Sequence, residues 1–284
     1  MITTAHVGLS YRCNMRCKHC FVSKSEKDDV FYLHHKEIIQ KLYDQGLYML
    51  FYTYGEPLFS ERLYEVAEFA NSKDICQVLM TNGSLINEET VFNLKKVGIG
   101  LVYVSIDSIN ATKHDKNRNS DGAWNQAIDA INILIKNGVN TGIACTVTND
   151  NYTELYDIYE LGHQLGVNNI SFLRCRNNGK IVVFENDCTY RTQMRNIILS
   201  GPRDGITIKI HDPLIMPMIT ELYYENQISE IAYDMYTSMC RCHKTNNINI
   251  APNGDVYRCD FAMVSEGNIE DEKLLLSDEK CTCV

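Results

Sequence analysis

Two hydrophobic periods alternate over the first 174 residues of this 284-residue chain. Short runs rich in β-branched and aromatic residues (AHVGLSY, LYMLFYT, CQVLMTN, GLVYVSID, TGIACTVT and NNISFLR) have the length and bounds of buried strands. Between them lie HHKEIIQKLYDQG, SERLYEVAEFANS, NEETVFNLKKVG, GAWNQAIDAINILIKNG and NYTELYDIYELGHQLG, where apolar residues recur at three and four; four of the five end at glycine, as helices do. In the fourth, Trp124, Ala127, Ile128, Ile131, Leu134 and Ile135 form one stripe, which predicts contact with a sheet. Six strands alternating with helices predict an α/β chain: a parallel sheet with right-handed crossovers, curved toward a barrel, with ligands gathering at the strands' C-terminal ends.

From Pro213 the rhythm changes, and the chain ends in a cysteine-rich tail with an Asn253-Gly254-Asp255 turn that reads as a hairpin. The expected division is residues 1–212 and a smaller module, residues 213–284. The net charge of −9 argues against a nucleic-acid surface, which needs clustered Lys and Arg. The N-terminus lacks a signal peptide's charged start and apolar run, and no stretch is long and apolar enough to span a membrane. The expected address is the cytoplasm, where the twelve cysteines stay reduced and serve as ligands, catalysts or core residues.

Cys13, Cys17 and Cys20 stand together directly after the first strand, in SYRCNMRCKHCF. Structural zinc takes four ligands, and no fourth Cys or His follows at finger spacing; His19, wedged between two of the cysteines, reaches the same ion only with strain. Three thiolates can instead hold three irons of a [4Fe-4S] cluster, leaving the fourth iron open to an outside ligand. Cys76 and Cys145 lie inside apolar runs and are expected in the core, Cys175 at the mouth of the sheet, and Cys188 in a loop.

This C-x3-C-x2-C spacing, with an aromatic ring at His19 before the third cysteine, resembles the signature of radical S-adenosylmethionine (radical SAM) enzymes. FYTYGEPLFS resembles the family's GGEP stretch, LMTNGSLI its third-strand ending with Asn82, and VYVSIDS its fourth-strand ribose motif. The departure is Tyr54, which stands where the family has the first glycine of GGEP. The resemblance implies a partial (β/α)6 barrel. It also implies that Gly55, Glu56, Pro57 and neighbouring backbone meet the methionine amino group of S-adenosylmethionine, that Ser105 and Asp107 lie near its carboxylate and ribose, that His19 lies near adenine, and that Tyr54, Asn82 and Arg118 belong to the same cofactor site. The implied chemistry is reductive cleavage of S-adenosylmethionine to methionine and a 5′-deoxyadenosyl radical that takes a hydrogen atom from substrate. An electron donor such as flavodoxin or ferredoxin is implied with it.

In the tail, eleven residues separate Cys242 from Gly254 and four separate Gly254 from Cys259. This spacing resembles the opening of SPASM and twitch auxiliary-cluster domains. Cys281 and Cys283 complete four thiolates with Cys242 and Cys259, which implies one auxiliary [4Fe-4S] cluster in a shortened, twitch-type tail. Cys240 lies within the same permitted distance and competes with Cys242; a four-cysteine zinc ribbon is the alternative. The arrangement resembles ribosomal-peptide maturases that crosslink, epimerise or oxidise a peptide. The chain starts at its first strand, so leader recognition is expected from a separate protein or from the barrel. Two other readings stand beside it: a small-molecule radical SAM dehydrogenase or biosynthetic enzyme, and a non-catalytic iron-sulfur or zinc protein.

Overall fold

A computed structural model describes residues 2–22, 34–177, 180–202, 204–238, 247–258, 265–269 and 271. The six expected strands are β1 (Thr4–Gly8), β2 (Met49–Thr53), β3 (Cys76–Thr81), β4 (Ile99–Ser105), β5 (Asn140–Val147) and β6 (Asn169–Arg174), all parallel and paired in chain order. After a small antiparallel pair, β7 (Arg176–Asn177) and β8 (Lys180–Ile181), strand β9 (Thr207–His211) extends the parallel series beside β6. The helices are α1 (His35–Tyr43), α2 (Leu63–Asn71), α3 (Glu88–Lys96), α4 (Ala111–Arg118), α5 (Ala123–Lys136), α6 (Leu155–Leu165), α7 (Asp187–Ser200), α8 (Met216–Tyr224) and α9 (Glu230–Ser238).

Local chemistry sets these elements. Helix α3 starts where the Asn87 side chain accepts from the Thr90 N–H, carries Glu88 and Glu89 in its first turn and closes on Lys95 and Lys96, so both ends suit the helix dipole. In α5 the expected stripe packs inward: Ala127, Ile131 and Leu134 are buried, and Ile128 and Ile135 lie against the core. Trp124 is half-buried and donates its indole N–H to the Ser108 carbonyl at 3.2 Å.

Strands β3 to β6 bury residues on both faces, as parallel sheets do. Leu50 and Tyr52 of β2 join one large core between sheet and helices. Met49 and Phe51, the alternate residues, join a second cluster with Val78, Met80, Leu101, Tyr103, Ala144 and Leu173. This second cluster is the inside of a curved sheet. The Lys209 ammonium on β9 stands 6.0 Å from the Phe51 ring on β2, although four strands separate β2 from β9 in sheet order. Only a sheet curled toward closure, a partial barrel, brings those strands face to face.

The hairpin read from Asn253-Gly254-Asp255 is present as β10 (Asn247–Ile250) and β11 (Asp255–Tyr257), with β12 (Gly267–Asn268) beyond it. Strand β10 pairs in parallel with β1, and Ile219, Leu222, Tyr236 and Ile248 share the large core. The described part of residues 213–284 thus continues the main sheet. Cys240, Cys242, Cys259, Cys281 and Cys283 lie outside the described residues.

Two cysteine expectations are corrected. Cys145 is fully buried, but Cys76 is exposed because it opens β3 at the sheet's N-terminal rim, beyond the helix layer. Cys188 lies in the first turn of α7, exposed, and not in a loop.

Candidate active site

The cysteine loop leaves the C-terminal end of β1 and is stitched to two neighbouring strand ends and to helix α4. Toward β2, the Glu56 N–H donates to the Arg12 carbonyl at 2.7 Å. Gly55 holds φ +52°, and a Cβ there would lie 2.8 Å from the Ser10 carbonyl oxygen, so conformation and close approach both demand glycine. Toward β3, Asn82 Nδ2 donates to Asn14 Oδ1, and Asn14 Nδ2 donates to Ser84 Oγ, both at 2.8 Å. Toward α4, the Lys18 N–H donates to the Asn117 carbonyl at 2.9 Å. Asn14 and Ser84 were missed by sequence reasoning; amide and hydroxyl groups give no signal until the loops are side by side.

Glu56 is 1% exposed and faces protein donors: Thr81 Oγ1 and the Leu58 N–H on one oxygen, at 2.7 and 3.3 Å, and the Asn82 N–H on the other, at 2.7 Å. It clamps the β2 loop to the β3 loop. Burial pushes its carboxyl up to about 7, against the lowering effect of those three donors and of Arg118. Pro57 opens the short 3-10 turn Pro57–Phe59, capped by the Glu56 side chain.

Tyr54 holds φ 61°, the left-handed backbone that glycine would take at this position without strain. Its ring meets Phe21 and Tyr11 edge-on, at centroid distances of 5.2 and 6.2 Å. Tyr11 in turn donates to Asn253 Oδ1 at 3.1 Å, so this aromatic group joins the cysteine loop to the C-terminal hairpin.

On the other side, Asp107 is 1% exposed. Its Oδ2 lies 2.7 Å from Arg118 Nη2 and 3.6 Å from His19 Nε2, and its Oδ1 accepts from the Thr146 N–H at 3.0 Å. The Asp107 N–H donates to His114 Nδ1. Burial alone would raise the Asp107 carboxyl, but Arg118, with His19 and His114, outweighs it and holds it below the usual range. Burial lowers His19, with Arg118 adding to it and Asp107 opposing it. Ser105 ends β4 half-buried, on the same face as Tyr103 and paired with Ala144.

The donor set suits a thiolate-bound cluster. Cys13, Cys17 and Cys20 are free thiols on one loop, and each of Cys17 and Cys20 acts electrostatically on Cys13. Two N–H donors point at sulfur: Arg118 Nη1 lies 3.8 Å from Cys17 Sγ, and Asn82 Nδ2 lies 3.9 Å from Cys13 Sγ. Such donors tune cluster sulfurs. Among the described residues no three His, Cys, Asp or Glu side chains are gathered as metal ligands, so the fit rests on the shared loop and on these donors.

The model of the Radical SAM superfamily matches residues 7–162, more than half of the chain. The chain belongs to the radical SAM superfamily. Membership implies S-adenosylmethionine and a [4Fe-4S] cluster. Fe-coproporphyrin III synthase of Methanosarcina barkeri is 29% identical over 168 residues, covering 58% of this chain and 42% of the relative. The antilisterial bacteriocin subtilosin biosynthesis protein AlbA of Bacillus subtilis is 28% identical over 170 residues, covering 58% and 37%. In fold, the chain matches Streptococcus suis SuiB bound to its precursor peptide SuiA with a TM-score of 0.73 and 16% identity, over 96% of this chain and 64% of SuiB. The chain spans between 40% and 46% of the length of the first curated relatives it matches. Among the described residues no helix is long and apolar enough to cross a membrane.

Proposed function

We propose that this radical SAM protein abstracts a hydrogen atom from a peptide substrate, leading to a crosslink, an epimer or an oxidised residue. When bound, the cluster and S-adenosylmethionine supply reductive cleavage to methionine and a 5′-deoxyadenosyl radical. The observation that carries the reading is the convergence of the cysteine loop, the Glu56–Asn82 clamp and the Asp107–Arg118–His19 group at one end of the barrel. Cys13, Cys17 and Cys20 would hold the cluster, and Asn82 and Arg118 direct N–H groups at the sulfurs of Cys13 and Cys17. Glu56 and Asp107 position these donors, while Tyr54, Gly55, Pro57, Ser105 and His19 border the cofactor.

The peptide reading draws on the names of two matching proteins, the subtilosin biosynthesis protein AlbA and SuiB with its precursor peptide. A small-molecule substrate is the second reading, because Fe-coproporphyrin III synthase and AdoMet-dependent heme synthase match 58% and 54% of the chain. We assign residues 213–284 to an auxiliary-cluster module whose closed thiolate set, drawn from Cys240, Cys242, Cys259, Cys281 and Cys283, accepts an electron or holds the tail folded. The partner on this reading is a flavodoxin- or ferredoxin-type electron donor.

Anaerobic reconstitution tests the proposal. About eight irons per chain are expected for two clusters and about four for one; zinc in place of the second four sinks the auxiliary-cluster assignment. Replacing Cys13, Cys17 and Cys20 by Ala should abolish 5′-deoxyadenosine. Replacing Cys259 and Cys281 should leave some cleavage while product falls much further; product at the parental ratio to 5′-deoxyadenosine removes the tail cluster from turnover. Modification of no candidate peptide, together with turnover of a small molecule, would select the second reading.

A further inference from the structure

The inside of the barrel holds a lysine with no anion. Lys209, on β9, shares a rung with Ser171 of β6, Ala144 of β5 and Ser105 of β4, two residues before Asp107. Its ammonium is over two ring faces, Tyr103 at 5.7 Å and Phe51 at 6.0 Å. Phe51 is stacked in turn on His6 of β1, with centroids 4.4 Å apart and planes 11° from parallel. Among the described residues no carboxylate pairs with Lys209, and burial pulls its pKa down with no charged neighbour acting the other way. Ring faces alone compensate a desolvated ammonium poorly.

Two more donors face the same interior without partners. Among the described residues the buried Tyr103 hydroxyl finds no hydrogen-bond partner, and neither does the buried Thr53 hydroxyl, two residues beyond Phe51 on the same face of β2. The Tyr103 ring packs over Gly142, where a Cβ would come within 2.6 Å of two ring carbons. A cation and two O–H groups thus point to the same interior side of the sheet, every one able to donate and, among the described residues, none supplied with an acceptor. Buried native polar groups are seldom left so, and a group that completes all three must be negative and accept several hydrogen bonds.

We propose that Lys209, Tyr103 and Thr53 form a substrate subsite for a carboxylate, so that the substrate enters the barrel by an acidic group. This rests on the reading above that the protein abstracts a hydrogen atom from a substrate held at the barrel, and it names the substrate's recognised chemistry. A peptide supplies such a group as an acidic side chain, and a small metabolite as a free acid.

The test is equilibrium binding to the reconstituted full chain, read by saturation-transfer NMR and by the lysine ε-carbon resonance that Lys209→Met removes. The probes are glutarate, its diamide, inorganic phosphate, and acetyl-Gly-Glu-Gly-amide with its Gln counterpart. Carboxylate probes should shift the Lys209 resonance, and their amides should bind roughly tenfold or more weakly. Tighter binding of the Glu tripeptide than of glutarate marks a peptide carboxylate, and the reverse marks a small acid. Lys209→Met should weaken the carboxylate probes by a similar factor; Lys209→Arg should retain binding, and Tyr103→Phe, a milder change, should lose part of it. Equal binding of acids and amides, binding of phosphate alone, unaltered binding by folded Lys209→Met, or no shift of the Lys209 resonance with any probe overturns the proposal. These readouts need no turnover. A chain that makes no 5′-deoxyadenosine yet binds carboxylates at Lys209 refutes the proposed function and leaves the subsite standing; the opposite pair of results refutes the subsite alone.

Discussion

Separating Asp107 from Arg118 should cost more stability than any surface ion pair in the protein. The two lie 2.7 Å apart with side chains 1% and 9% exposed, so neither is rehydrated when its partner goes. Asp107→Asn keeps the shape and an acceptor for the Thr146 N–H, so its cost comes from a guanidinium left in the interior without its anion. Breaking a buried pair in this way costs about 3–5 kcal/mol. Arg118→Met does the converse. The carboxylate then keeps the Thr146 N–H and two imidazoles whose pKa burial lowers, His19 below its ordinary value and His114 down to about 4. The double variant buries neither charge and should cost less than the two singles summed, by about 2 kcal/mol.

Urea unfolding at pH 7, with midpoint and slope compared, measures all four corners of the cycle. The pH dependence supplies an independent arm. The folded Asp107 carboxyl sits below its unfolded value of about 3.9, so its contribution is present above about pH 4 and is lost as pH falls through the folded value. The difference between wild type and Asp107→Asn should therefore be flat from about pH 5 to 8 and shrink below about pH 4. Single-variant costs that add to within about 0.5 kcal/mol would refute the coupling and leave Arg118 with no need of Asp107.

Glu56 should behave oppositely with pH. Its folded carboxyl, at about 7, retains a proton that the unfolded chain has released, so its contribution is complete below about pH 4.5 and is lost as pH rises toward 7. The loss is up to about 3 kcal/mol. Glu56→Gln should flatten that slope; parallel stability curves for wild type and variant between about pH 5 and 8 would show the carboxyl unperturbed. Gly142→Ala should destabilise by about 1–3 kcal/mol in thermal or urea unfolding, because the new methyl meets the Tyr103 ring and, at 2.9 Å, the Asn169 carbonyl oxygen. An unchanged midpoint would mean that the ring is free to move away.

The sheet was legible because parallel strands are written as near-continuous apolar runs, and β1 to β6 fall on the six runs named from composition and bounds. The site was legible as motifs and opaque as connections. Helix α4, ATKHDKNR, has no apolar stripe to betray it; its buried face is His114, Asn117 and Arg118, polar residues turned inward to serve the cysteine loop and Asp107. A polar helix is invisible to hydrophobic periodicity for the very reason that it matters here. Helix α7 is the contrary case. Tyr190, Met194, Ile197 and Ile198 recur at helical spacing behind an Asn186 cap, a pattern present in the sequence and not picked out.

Lys209 shows the deeper reason that motifs stop short of specificity. In TIKIH the lysine interrupts an apolar run, which in a sequence reads as a solvated position on an edge strand. The strand alternation places Ile208 and Ile210 in the large core, so the lysine must take the opposite face. Whether that face meets water or protein depends on strands β2 and β4, more than a hundred residues earlier in the chain. Sheet curvature, which no local pattern encodes, sets Phe51 and Tyr103 beneath the ammonium. The cysteine loop and its neighbours carry recognisable spacing, whereas the interior face is made by residues that become neighbours only once the sheet has curled. The family is therefore read from Cys13, Cys17, Cys20 and Glu56, and the interior face that Lys209 shares with Tyr103 and Thr53 is legible only in three dimensions.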